Sequence, residues 1–229
     1  MKDKNIIWLY VFLAATLVDI AFLIEGDTHS RFFSKPLILL GLILYFYRIT
    51  RPIASTLLTK SILGALIFSW IGDVLLLWPS LFIYGLGAFL MAHICYIIGF
   101  RLAQSGPNGL GQVNFIKSFF FNLPIYIVAA FIFYLINPNL GALKIPVIAY
   151  ILVIVSMVVT ARERFGKCSP ASFWQVFIGA ILFLVSDGVL AMARFYKDFP
   201  ESGILIMGTY ATAQLLIVMG IRSYLVGKK

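Results

Sequence analysis

Eight stretches of about 20 mostly apolar residues follow one another along this chain, and as a helix each is long enough to cross a hydrocarbon core of about 30 Å. A bilayer interior holds no water to satisfy backbone amides, so such crossings must close their own hydrogen bonds as helices. The predicted spans are 6–24, 34–49, 57–78, 81–101, 116–135, 142–161, 172–196 and 203–225. The breaks between them carry turn chemistry: Gly26 and Asp27, Pro52, Pro79, the stretch from Ser105 to Gly111, Asn137 to Gly141, Pro170 and Pro200. No gap could hold a separate soluble domain. At 62% hydrophobic residues and a mean hydropathy of +1.00 the chain lies far above the roughly half-apolar content of soluble domains. The expected fold is therefore all-α, a polytopic membrane helix bundle of about eight helices forming one domain over residues 1–229.

The first span follows Lys2 and Lys4, as a secretory signal would, but it runs about 19 residues, contains Asp19 and lacks a small-x-small cleavage site, so it is expected to be retained. Cys95 falls inside a span and Cys168 in a loop, and no Cys/His pair has metal-ligand spacing; neither a disulfide nor a metal or other cofactor is expected. The net charge of +9 caps hydrophobic spans and is not gathered on a polar domain, which argues against nucleic acid. Threaded through eight spans, 13 of the 18 basic residues fall on the side of the termini and five (Arg31, Lys35, Lys144, Arg194 and Lys197) on the other. By the positive-inside rule both termini are expected in the cytoplasm, which suits a bacterial inner membrane.

Six of the nine acids sit where water reaches them, but Asp19, Asp73 and Asp187 lie within the first, third and seventh spans. Asp73 is the plainest case: in SWIGDVLLLWP no basic residue stands near it in sequence. A charge at bilayer depth costs at least about 2.5 kcal/mol, and a purely structural one would want a basic partner at its own level. Counted from the cytoplasmic start of each helix, the three acids lie roughly 20 to 24 Å in, at one level in the outer half of the bilayer. His93 and Tyr96 of the fourth span, and Tyr210 and Gln214 of the eighth, reach a similar depth. Arg194, two turns beyond Asp187, and Lys35, at the mouth of the second helix, stand nearer the surface. Singly, His93 is as compatible with an interhelical hydrogen bond, Lys35 and Arg194 with snorkelling, and Tyr96, Tyr210 and Gln214 with packing. Together they sketch a pocket with carboxylates, an imidazole and an amide at its floor and cations above it, suited to an amphiphile with an anionic head.

GALIFSWIGD (64–73) and GAILFLVSD (179–187) are alike apart from a one-residue offset and lie four spans apart, the spacing of a parallel four-plus-four repeat. Taken in order, FSKP (33–36), GDVLLL (72–77), GAFLMAHICY (87–96), Tyr150, GAILFLVSDGVLAMARF (179–195) and GTYATAQLLIVMG (208–220) resemble the YhhN-like lysoplasmalogenase family over nearly the whole chain. The resemblance implies a membrane hydrolase that cleaves the vinyl-ether bond of a lysophospholipid, lysoplasmalogen, to a fatty aldehyde and glycerophosphoethanolamine or glycerophosphocholine. It implies Asp73 and Asp187 as the reactive pair, with Lys35, His93, Tyr96, Tyr150, Arg194, Tyr210 and Gln214 around them. Asp19 joins that group by depth alone.

Vinyl-ether hydrolysis needs a proton on the alkene carbon and a base for the attacking water, a division of labour that two carboxyl groups in an apolar setting can supply. Nothing in the chain resembles a G-x-S-x-G elbow or H-E-x-x-H, which disfavours serine and zinc hydrolysis. Intramembrane acids alone also fit a proton- or cation-coupled transporter, or a lipid receptor without turnover. Headgroup preference, chain length, oligomeric state and the identity of the acid and the base are not legible in the sequence.

Overall fold

The structure is a computed structural model that describes residues 3–53, 56–105 and 115–227. Residues 106–111 of the fourth break, and Lys2, Lys228 and Lys229 of the charge count, lie outside the described residues. Among the described residues eight helices are long and apolar enough to cross a membrane: α1 (Asp3–Glu25), α2 (Arg31–Thr50), α3 (Leu57–Leu75), α4 (Phe82–Leu102), α5 (Phe115–Ile136), α6 (Lys144–Arg162), α7 (Pro170–Phe195) and α8 (Ser202–Gly227). The chain is an integral multi-pass membrane protein.

Local chemistry sets the helix ends. Gly26 takes a left-handed φ of +73° just after α1. Asp27 then accepts hydrogen bonds from the backbone N–H groups of His29 and Ser30 and from the Ser30 hydroxyl, forming a turn that aims α2 back along α1. Those bonds, the Ser30 hydroxyl first, hold the Asp27 carboxyl below the usual carboxylate range. α3 opens on a reciprocal cap between Thr56 and Thr59, and α7 on Ser169 followed by Pro170 at its first position.

Consecutive helices pack as hairpins: α1 on α2, α3 on α4, and α7 on α8. Glycines mark places where backbones approach closely. A Cβ on Gly41 would come 2.8 Å from the Phe12 backbone nitrogen, and one on Gly179 would come 2.9 Å from the Ala213 carbonyl oxygen. Lipid-facing helices associate by this kind of close fit, since no hydrophobic force separates them from lipid. α2 packs on α3, α4 on α6 and α6 on α7, while α5 lies outside against α6 and α7.

At the end that carries the termini, Arg164 is fully buried. It donates to the carbonyls of Ala103 and Ser172 and to the Ser172 hydroxyl, which in turn donates to the Gly220 carbonyl. One side chain thus joins the C-terminal end of α4, the start of α7 and the body of α8. The opposite end holds the acids.

Candidate functional site

Asp73 lies in the last turn of α3, where its Oδ2 accepts a hydrogen bond of 2.7 Å from the Tyr210 hydroxyl of α8. Its Oδ1 is 3.8 Å from the Lys35 ammonium of α2, and both side chains are almost wholly enclosed. The expectation of Lys35 at headgroup level is therefore corrected: α2 begins at Arg31 rather than near residue 34, so Lys35 sits inside the bundle beside the acid. Asp73 does have a basic partner at its depth, from another helix.

Asp187, on α7, accepts a hydrogen bond at Oδ2 from the Tyr150 hydroxyl of α6. The His93 Nε2 stands 3.8 Å from the same oxygen, beyond hydrogen-bond range. His93 is fully buried edge-on to the rings of Tyr150 and Phe183, and neither ring nitrogen has a hydrogen-bond partner among the described residues.

Two cavities meet at Asp187. One, of about 240 Å³, holds the charged groups; Arg31, Lys35, Asp73, Asp187, Arg194 and Tyr210 all line it. The other, of about 60 Å³, is walled by α4, α5, α6 and α7 and is apolar apart from Asp187 and Tyr150. Leu76, Phe82, Phe89 and Leu190 are common to both, so the division runs along one seam. The glycine beside each acid leaves room there: a Cβ on Gly72 would come 2.6 Å from the Phe89 ring, and one on Gly188 would come 2.8 Å from Ile132.

Four expected residues do not line either cavity. Asp19 is fully buried behind the charged chamber, accepting hydrogen bonds from the Ser34 hydroxyl at 2.7 Å and from Arg31 at 3.2 and 3.3 Å. It holds Arg31 rather than facing the chamber. Tyr96 donates to the Gln214 side-chain oxygen in a fully buried pair, and His93 lies on the same inner level. The sequence reading gave no site role to Arg31, although Arg31 and Lys35 are one turn apart on a single helix, a spacing that puts both on one face. Arg194 lies over the Phe82 ring at 5.1 Å and has no carboxylate partner among the described residues.

Residues 30–221, which contain every group above except Asp19, match the YhhN family. The chain belongs to the YhhN family. Curated relatives include mouse lysoplasmalogenase TMEM86B, 33% identical over 79% of this chain and 70% of that protein. Another is the lysoplasmalogenase of Mycobacterium tuberculosis, 32% identical over 68% of this chain and 58% of that protein. The Escherichia coli membrane protein YhhN is 28% identical over 92% of this chain and 97% of its own length. The chain spans 58 to 70% of the length of the lysoplasmalogenases it matches here. No solved structure matches this YhhN-family chain.

Proposed function

We propose that this protein hydrolyses the vinyl-ether bond of lysoplasmalogen within the membrane. The observation that carries the reading is the position of Asp187 on the seam between a cationic chamber and an apolar pocket. In a single-chain ether phospholipid the vinyl ether is the bond at that junction, between the glyceryl phosphate and the hydrocarbon chain. The names of the relatives support the same substrate class.

The roles follow from the partners. Lys35 and the Tyr210 hydroxyl both stabilise negative charge on Asp73, so Asp73 is the ionised member. Asp187 borders an apolar wall and has no Lys or Arg ion-pair partner among the described residues; its Oδ2 is committed to Tyr150, leaving Oδ1 to present a proton. Asp187 gives that proton to the alkene carbon remote from oxygen, and the electron pair of the double bond takes it up, leaving an oxocarbenium ion. Water adds to the carbon that bears oxygen, and Asp73 takes the proton the water loses. Asp73 then returns it to the glyceryl oxygen as the hemiacetal opens, while Asp187 recovers its proton from the hemiacetal hydroxyl. Aldehyde and glycerophospho-alcohol leave, and both carboxyl groups are reset. Arg31, Lys35 and Arg194 hold the phosphate, with Arg31 itself held by Asp19. With both termini in the cytoplasm, as the charge bias supports, the chamber opens towards the outer leaflet of the inner membrane.

The test is aldehyde release from lysoplasmenylethanolamine by the detergent-purified protein beside Asp73→Asn and Asp187→Asn. Each variant is expected to lose at least about 100-fold in rate, the low end for a positioned acid or base. A folded parent that releases no aldehyde, or a variant that keeps the parental rate, overturns the reading.

A further inference from the structure

The apolar pocket at Asp187 is small. At about 60 Å³ it falls well short of the roughly 300 to 1,000 Å³ that enclose a drug-sized ligand, so it can take only the first few carbons of a fatty chain. A longer chain has to leave it.

The wall on the α5–α6 side shows where. A groove of about 310 Å³ runs between these helices, bounded by Tyr126, Ala130 and Phe133 of α5 and by Ile148, Leu152 and Val155 of α6. Ala129 and Ile151 line both the groove and the inner pocket, so the two spaces share a wall at these side chains. Leu152 is 63% exposed, so the groove faces lipid rather than another helix. α5 is also the helix best placed to yield. It packs against α6 and α7, and Pro124 inside it cannot donate to the carbonyl four residues back.

We propose that the hydrocarbon chain of the single-chain lipid passes between Ala129 and Ile151 and lies in the α5–α6 groove, and that the fatty product leaves sideways along the same path into the bilayer. This rests on the lipid-hydrolase reading for the identity of the occupant, and on the continuity of groove and pocket for its location. The bond to be broken is then fixed at Asp187 while the chain end stays in hydrocarbon, so the length of the chain is not measured by a closed wall.

A probe that cannot be hydrolysed separates this route from the chemistry. A saturated 1-O-alkyl lysophosphoethanolamine with a diazirine near the end of a 16-carbon chain has no alkene to protonate. Irradiated with the purified protein in nanodiscs, it is expected to label the α5–α6 groove, Phe133 and Leu152 foremost. In Ala129→Trp and in Ile151→Trp, each checked for monodisperse elution, that label is expected to fall at least fivefold. The ratio of kcat/KM for 16-carbon over 6-carbon vinyl-ether substrates is expected to drop at least tenfold in the same variants. Label distributed over lipid-facing residues such as Ile24 and Val226 in proportion to exposure, or groove label unaltered by either tryptophan, overturns the route. Because labelling needs no turnover, groove label in a parent that releases no aldehyde sustains the route and removes the hydrolase, whereas aldehyde release with label elsewhere removes the route alone.

Discussion

Asp73 and Asp187 are alike in sequence and unlike in company. Lysine and tyrosine meet the first, while one tyrosine and an apolar wall meet the second. That asymmetry makes a prediction about atoms. If Asp187 protonates carbon, aldehyde formed in D2O carries one deuteron on the carbon next to the carbonyl, readable by mass spectrometry; aldehyde without it would exclude carbon protonation. A second prediction concerns the pair behind the chamber. Arg31→Met leaves Asp19 buried without its cation and is expected to cost about 3 kcal/mol of stability, seen as a lower Tm in detergent. Adding Asp19→Asn is expected to restore at least half of the loss, whereas a double variant no more stable than the single would show that the ion pair is not the cause. The three acids stood out in the sequence because a carboxylate in an apolar run has no local explanation. The pairing of Asp19 with Arg31 and of Asp73 with Lys35 did not, because both cations come from α2, and an error of three residues in where that helix begins displaces Lys35 by about 4.5 Å along it.

At the scale of helices, every predicted span is present with its ends within three residues of those expected. Apolar length and Gly, Pro and Asp punctuation carry that information locally, whereas the pairing of one helix with another does not show in either. The glycines make the contrast testable. Gly179 lies against the α8 backbone, so Gly179→Ala must push α7 and α8 apart and is expected to destabilise by about 1 to 3 kcal/mol. Gly208, on α8, has nothing within 4 Å of where a Cβ would stand, so Gly208→Ala is expected to be neutral or to stabilise by up to about 1 kcal/mol. Thermal melts of the two variants in one detergent check both; equal shifts would mean that the close approach at Gly179 does not decide the packing of α7 on α8.

Seen whole, the bundle is tied at one end by Arg164 and hollow at the other, where Arg31, Lys35 and Arg194 ring the chamber. The sequence showed which side the charges occupied, not that an apolar pocket would adjoin them, since that pocket is assembled from four helices, none of which encloses it alone. Arg194 and Asp187 are fixed seven residues apart on the rigid α7, about 10 Å along its axis. With phosphate at one mark and the proton donor at the other, the helix serves as a ruler. On the proposed reading it selects a lipid by how far its labile bond lies from its phosphate, and two molecules that differ only beyond the phosphate would read the same.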